Sequence, residues 1–153
     1  MKKYELKKGT KEFTKEDLHQ MKGLCVDSEE TLASFESKED ALKALKGYKT
    51  SIFETGNAVN YFCVEQYFIE ENEYDDDSEW IDGGDVLSYT DIKITLYVDY
   101  EEVSSFNNYA EAKAAFDALD DAPEYEDAES DEGFKYVKVY LKPFETKEIW
   151  VKK

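Results

Sequence analysis

LYVDYEEVSSF (Leu96–Phe106) repeats most of an earlier stretch of the same chain, LCVDSEETLASF (Leu24–Phe35). The shared positions are a leucine, a valine, an aspartate, two glutamates and a closing Ser-Phe, with one residue of slippage between the copies. Each stretch opens with apolar residues at alternate positions, which is typical of a strand. We therefore predict that one supersecondary unit occurs twice and that the two copies share a core.

A short amphipathic helix is predicted after each stretch. Ser37 and Asn108 are capping residues with an acid three positions later, and apolar residues then recur at three- and four-residue spacing. The first helix is expected to stop at Gly47. A further short capped helix is expected in front of the repeats, beginning after Thr14.

Two long runs of aromatic and β-branched residues predict a strand after each helix, and a tryptophan-containing strand after each run. These four predicted strands are Val59–Glu71, Glu79–Ile81, Phe134–Glu145 and Glu148–Val151. The alignment places Val64 with Val137 and Tyr67 with Tyr140. An extra strand is expected at Thr50–Thr55, and turns are expected at Gly56-Asn57 and at Asp82-Gly83-Gly84-Asp85.

The predicted fold class is α+β, with two tandem related β-α-β-β units, mainly antiparallel sheets, and short helices on one face. Residues 1–23 are expected to form an N-terminal strand and short helix. The first repeat, with an acidic loop, is expected to cover residues 24–95, and the second is expected to cover residues 96–153.

Alternation assigns the predicted strand faces. In the second copy the inward positions are Ile92, Ile94, Leu96, Val98, Val137, Val139, Leu141, Ile149 and Val151, and the outward ones are Tyr97, Tyr136, Tyr140 and Trp150. In the first copy Phe62, Val64 and Phe68 are expected to point inward, and Tyr61 and Tyr67 outward. Such an aromatic face can pack against the other half of the protein, form a homodimer interface, or stack a base or a sugar.

Charge is distributed unevenly along the chain, whose formal net charge is −18. Residues 1–50 contain 11 lysines and 10 acids, whereas residues 51–153 contain 8 lysines and 27 acids. Every basic residue apart from His19 is a lysine, so the planar fork that recognises phosphates and base edges is missing. We therefore expect no direct binding of nucleic acid.

Two windows of sixteen residues each contain nine acids and no lysine. The first window contains Glu70, Glu71, Glu73, Asp75, Asp76, Asp77, Glu79, Asp82 and Asp85. The second contains Asp117, Asp120, Asp121, Glu124, Glu126, Asp127, Glu129, Asp131 and Glu132. Mutual repulsion within such windows lowers stability, so they are the candidate partner-binding residues.

Solvated, solubilising loops are the simplest interpretation of these windows. A calcium loop is disfavoured, because Trp80 occupies the position that needs glycine and the distal glutamate is missing. Carboxylate catalysis would need a cleft, and His19, the single histidine, lies on a predicted surface helix. We expect no metal, no cofactor and no enzymatic activity.

Electrostatic capture of a basic protein surface is the functional interpretation that we favour. Rigidly held carboxylates can occupy a lysine- and arginine-rich groove of a nucleic-acid-binding protein and compete with its nucleic acid. In charge, size and aromatic content the chain is similar to the small acidic proteins with which phages and mobile elements block restriction and CRISPR nucleases. The alternative is a structural or oligomerising accessory protein whose acidic loops only solubilise it.

The two cysteines, Cys25 and Cys63, lie in strand-like runs without a disulfide framework, so both are predicted to be buried thiols. No apolar run is long enough to span a bilayer, and no apolar stretch follows the N-terminal lysines. The expected compartment is the cytoplasm, without a membrane partner.

Overall fold

The computed structural model describes residues 1–55 and 61–153. Antiparallel strands dominate it, and the helices are few and short, as expected for an α+β fold with antiparallel sheets. The chain divides into two compact units. One contains Met1–Asp17 and Met21–Ile92, and the other contains Lys93–Lys153 with Leu18–Gln20.

The first unit contains five strands and one α-helix. In chain order these are β1 (Lys2–Thr14), β2 (Ser28–Phe35), α1 (Lys38–Leu45), β3 (Ser51–Glu54), β4 (Tyr61–Tyr74) and β5 (Trp80–Tyr89). β1 and β4 pair antiparallel along thirteen residues at the centre of the sheet. β2 lies on the outer side of β1, while β3 and β5 follow one another along the other edge of β4. The predicted Gly56-Asn57 turn lies outside the described residues.

The predicted helices form where their caps indicate. The Asp40 N–H donates to Ser37 Oγ (3.4 Å) at the start of α1. N-terminal to α1, Lys15–Gln20 forms a 3₁₀ helix rather than the predicted α-helix. Helix α1 covers one face of the first sheet, where Ala41 and Leu45 form a buried cluster with Leu6 and Ile69.

The other face of the first sheet is covered by residues 21–27. The sequence pattern predicts a strand at Leu24–Asp27 within this segment. Gln66 on β4 is fully buried and fixes this segment, because its Oε1 accepts from the Cys25 N–H (2.7 Å) and its Nε2 donates to the Gly23 carbonyl (2.8 Å). A Cβ on Gly9 would lie 2.5 Å from a Val26 methyl carbon, so only glycine allows this close approach. The predicted strand at Leu24–Asp27 is therefore wrong.

Strand β4 is buried on both faces, which corrects the predicted outward position of Tyr67. Tyr67 lies on the α1 face, partly buried against the helix cluster, and its ring is 4.5 Å from that of Tyr48. Phe62 and Phe68 are buried on the opposite face, as is Gln66. Alternation fails here because a central strand covered on both sides has no exposed face.

The second unit contains β6 (Ile94–Val98), β7 (Glu101–Phe106), α2 (Tyr109–Ala118), β8 (Phe134–Lys142) and β9 (Glu145–Lys152). The sheet order is β7-β6-β8-β9, and every pairing is antiparallel. The Glu111 N–H donates to Asn108 Oδ1 (2.9 Å) at the start of α2. The inward aliphatic prediction is confirmed, since Val137, Val139 and Leu141 are buried. Tyr97, Tyr136 and Tyr140 lie on the opposite, open face.

The strand pairings of the two sheets share two features. Phe35 pairs with Tyr4 in the first and Phe106 pairs with Ile94 in the second, and both ladders carry an irregularity immediately after a leucine, Leu6 or Leu96.

In the first sheet Lys7 on β1 pairs with Phe68 on β4, and in the second sheet Tyr97 on β6 pairs with Tyr140 on β8.

Candidate functional site

The first acidic window is an ordered β-hairpin rather than a loop. We call residues 70–85 the acidic hairpin; it contains the end of β4, a turn, and the first half of β5. The predicted turn at Asp82-Gly83-Gly84-Asp85 is wrong, because these residues lie within β5 and pair with β4. Gly83 has a φ of +129° and lies against Asn72, where a Cβ would be 2.5 Å from the Glu71 carbonyl oxygen. Glycine therefore permits a bulged strand here, not a turn.

Like charges face each other across the acidic hairpin. Glu71 is directly opposite Asp85, and Glu73 is directly opposite Asp82. Opposed like charges on paired strands are destabilising, since side chains in such pairs are only about 4.5–5.5 Å apart at Cβ. The fold therefore holds these carboxylates together against their repulsion.

The Asp75 carboxylate forms the turn of the acidic hairpin. Its Oδ1 accepts from the N–H groups of Asp77 and Glu79, each at 2.9 Å. Ser78 follows with a φ of +64°, a left-handed conformation typical of tight turns. Asp76 and Asp77 are exposed at the tip. The alternating acids that suggested a calcium loop are thus explained by turn chemistry.

A buried polar network fixes the acidic hairpin to β1. Asn72 is 3% exposed; its Oδ1 accepts from the Trp80 indole N–H (2.9 Å), and its Nδ2 donates to Glu70 (3.0 Å) and Glu5 (3.3 Å). The Tyr74 hydroxyl donates a hydrogen bond to the Glu5 carboxylate, and that hydrogen bond raises the pKa of Tyr74. A fully bonded buried network specifies a single geometry. The hairpin is consequently held as a rigid extension of the sheet.

Lysines neutralise only two carboxylates of the acidic hairpin. Lys7 lies 3.0 Å from Glu70, and Lys2 lies 3.0 Å from Glu71. The other seven have no lysine partner among residues 1–55 and 61–153. Strand residues rise about 3.3 Å each, so a hairpin roughly 20 Å long carries one uncompensated carboxylate per about 3 Å. One strand of DNA carries a phosphate per about 3.4 Å.

Exposed apolar side chains accompany these acids. Trp80 is 57% exposed although its indole N–H is bonded, and Ile81 and Val86 on the same strand are also exposed. Neither Ile81 nor Val86 was predicted as a binding residue. Large aromatic side chains beside charged groups are common energetic centres of protein interfaces.

The second acidic window is mainly irregular. We call residues 117–132 the acidic segment; it begins in the last turn of α2, passes through a 3₁₀ turn at Pro123–Tyr125, and ends just before β8. All nine of its acids are exposed. The Asp117 carboxylate lies 2.9 Å from the Lys113 ammonium. Asp121 Oδ1 accepts from the backbone N–H of Trp150 (2.8 Å).

Tyr125 fastens the acidic segment to the second sheet. Its ring stacks on Trp150 with centroids 4.7 Å apart and 11° between the planes, and it meets Phe134 edge-on at 5.3 Å. Its hydroxyl donates to Asp131 (2.9 Å), and this bond raises the pKa of Tyr125. The outward position predicted for Trp150 is thus partly occupied by the protein's own acidic segment.

The two cysteines and the single histidine lie in three different segments, residues 21–27, β4 and the 3₁₀ helix. Cys25 and Cys63 are buried free thiols, as predicted, and burial raises the pKa of each. His19 lies on the exposed side of the 3₁₀ helix. Within the described ranges, no group of three or more histidine, cysteine or acidic side chains is placed to hold a metal ion. No helix in those ranges is both long and apolar enough to cross a membrane.

Comparison of the chain with protein-family models, with curated proteins and with solved structures found no match. Function is therefore inferred from the geometry of the acidic hairpin and of the second sheet.

Proposed function

We propose that this protein is a non-enzymatic binding module that presents nucleic-acid-like charge to the basic surface of a nucleic-acid-binding protein. The acidic hairpin supplies the main contact. Its uncompensated carboxylates, three on the paired strands and four in the turn, have on average about the linear charge density of one DNA strand. That density is the observation on which the proposal depends.

Rigidity supports this proposal over a purely solubilising role. Solubility requires only charge, which a mobile loop provides without placing like charges opposite each other. Here two like-charged pairs are held in register by Asn72 and Tyr74 beneath them. Fixed carboxylates lose less conformational entropy on binding than mobile ones do.

Trp80 gives the proposed surface a site of short-range recognition. Charge alone steers a partner and sets its rate of arrival, whereas desolvated aromatic contacts usually supply most of the affinity. Trp80 and Ile81 are adjacent, exposed and flanked by Glu79 and Asp82. Inhibition of a restriction or CRISPR nuclease is one biological setting for such a surface, proposed by analogy of charge alone.

We also propose that the two units derive from a duplicated ancestor. Their shared strand order and the matching irregularity after Leu6 and Leu96 support this origin. The acidic hairpin belongs to one unit only, because β8 and β9 are joined at Lys142–Glu145 without an acidic extension.

Capture from a cell lysate at about 50 mM and about 200 mM salt tests the proposed function. The test variant neutralises four hairpin acids through Glu73→Gln, Asp77→Asn, Asp82→Asn and Asp85→Asn, and leaves the turn-forming Asp75 intact. A matched control neutralises four exposed acids elsewhere through Glu36→Gln, Glu54→Gln, Asp91→Asn and Glu101→Gln.

We expect the unmodified protein and the control to capture the same nucleic-acid-binding protein and to release it when duplex DNA or salt is added. The test variant should capture much less. Equal capture by the test variant, or a captured partner that DNA does not displace, would contradict charge mimicry. A structural accessory role predicts equal capture by all three proteins.

A further inference from the structure

A concavity of about 280 Å³ lies on the open face of the second sheet. Tyr97 on β6 and Tyr140 on β8 form its floor as cross-strand partners, with ring centroids 6.3 Å apart and 30° between the planes. Lys138 and Lys142 flank Tyr140 along β8, and Tyr100 forms the remaining wall. Side chains two residues apart on a strand share a face, so Lys138, Tyr140 and Lys142 project together.

Tyr100 combines a strained backbone conformation with an exposed side chain. Asp99 and Tyr100 connect β6 to β7, with φ values of +52° and +66°. Glycine is preferred at the second of these positions because a side chain there is strained. Tyr100 is nonetheless 81% exposed, so its ring contributes little to the core. A strained, exposed aromatic residue beside a concavity is an arrangement expected of a ligand site.

Two lysines line the concavity, and two acids lie beside it, because Glu148 is the cross-strand partner of Lys138 and Glu102 is that of Tyr97. No carboxylate lines it, and the nearby Asp99 is bound to Lys135 (3.0 Å). The Lys138 ammonium lies 5.2 Å from the centre of the Tyr140 ring. Lys142 has no carboxylate partner among the residues that the structure describes. Its cross-strand partner is Thr95, so Lys142 is the lining lysine without an acid opposite it on β6.

On the corresponding face of the first sheet, the protein's own chain occupies the space above the strands. Gln66 and Phe68 occupy the positions of Lys138 and Tyr140 when the two ladders are superimposed from their phenylalanine pairs. There the chain's own residues 21–27 lie over Gln66 and bury it. In the second sheet, Tyr140 remains partly exposed on the floor of the concavity.

We infer that this concavity binds a nucleoside monophosphate, with the planar base stacked on the tyrosine rings and the phosphate held by Lys138 or Lys142. Tyrosine faces stack a base of any sequence, and an ammonium group binds phosphate as a point charge. A neutral sugar would use the rings but leave both lysines without a role. The volume is at the lower end for ligand pockets and suits one base rather than a chain of them.

Titration with adenosine monophosphate, followed by amide NMR shifts, tests this inference independently of the proposed function. Adenosine and ribose 5-phosphate serve as half-ligands, and an oligoadenylate serves as the polymeric form. We expect shift changes confined to residues around Tyr97, Tyr100 and Tyr140. Each half-ligand should bind at least about tenfold more weakly than the nucleotide, since each lacks either the stacking or the phosphate. The oligoadenylate should bind no more tightly.

Variants locate the site. Tyr100→Ala should weaken adenosine monophosphate binding about tenfold without affecting folding, because that side chain is exposed. Lys142→Gln should weaken adenosine monophosphate binding severalfold at low salt and less at high salt. Tyr136→Ala, an exposed tyrosine on the same strand and face, is the matched control and should bind normally.

Several results would overturn the inference. These are scattered shift changes, half-ligands that bind as well as the nucleotide, equal losses in Tyr100→Ala and Tyr136→Ala, or an oligoadenylate that binds far more tightly than the monomer. The last result would replace a nucleotide site with a nucleic-acid site.

Discussion

Residues Leu24–Asp27 and Leu96–Asp99 have nearly the same sequence, LCVD and LYVD, but different structures. The second includes most of β6, a central strand, while the first crosses the face of a sheet without joining it. In the first sheet β1 lies between β2 and β4, and in the second sheet β6 lies between β7 and β8. Neighbouring strands, not local propensity, decide which segment enters a sheet.

The faces of the two sheets differ accordingly. In the first, Gln66 binds the covering segment and is fully buried. In the second, Lys138 lines an open concavity. The protein's own residues 21–27 thus cover the first face over Gln66, whereas the second face is covered in part by Tyr125, which stacks on Trp150.

Gln66→Leu should have the largest effect on this comparison. The substitution leaves the Cys25 N–H and the Gly23 carbonyl without their partner and removes one of two donors to the Thr90 carbonyl, so the free energy of unfolding should fall by about 3 kcal/mol. Lys138→Leu on the open face of the second sheet should change it by less than about 0.5 kcal/mol. Urea unfolding measures both, and similar losses would show that the two faces do not differ as described.

Asn72→Leu should come next, because it removes the centre of the network beneath the acidic hairpin. We expect a loss of about 2 kcal/mol and faster amide exchange within residues 70–85 than elsewhere in the first sheet. Glu73→Gln, the exposed neighbour, is the control. Hairpin exchange unaffected by Asn72→Leu would contradict a rigid acidic hairpin.

Tyr74→Phe should lower the free energy of unfolding by about 1 kcal/mol at neutral pH, because the hydrogen bond to Glu5 is lost. Since the folded-state pKa of Tyr74 is raised, this contribution is present below its ordinary pKa of about 10 and is lost as the pH rises through the raised value. The difference in unfolding free energy between the two proteins should therefore shrink at alkaline pH. A constant difference would contradict the linkage to Glu5.

Asp85→Asn should have the smallest effect, in the opposite direction. Removing one member of the Glu71/Asp85 pair should stabilise the protein by a few tenths of a kcal/mol at low salt, and the gain should fade as salt rises. Glu101→Gln, at an exposed acid outside both windows, should have little effect. Destabilisation by Asp85→Asn would show that Asp85 supports the fold rather than opposing it.

Much of the candidate site could be predicted from the sequence. Both acidic windows were found because composition is independent of conformation. The hairpin was not predicted, because Gly83 and Gly84 normally indicate a turn, whereas here Gly83 lies against Asn72 within a bulged strand. Buried Glu5 and Asn72 could have been suspected only as polar residues inside strand-like runs.

The helices, the aliphatic side of the second sheet and the location of the charge follow from local patterns, since caps, alternation and composition are local properties. That Leu24–Asp27 covers a sheet and that β4 is buried on both faces follow only from the folded arrangement of the strands. These outcomes depend on pairing register and on which segment occupies a limited number of strand positions. Such choices are made among distant parts of the chain, so no local pattern contains them.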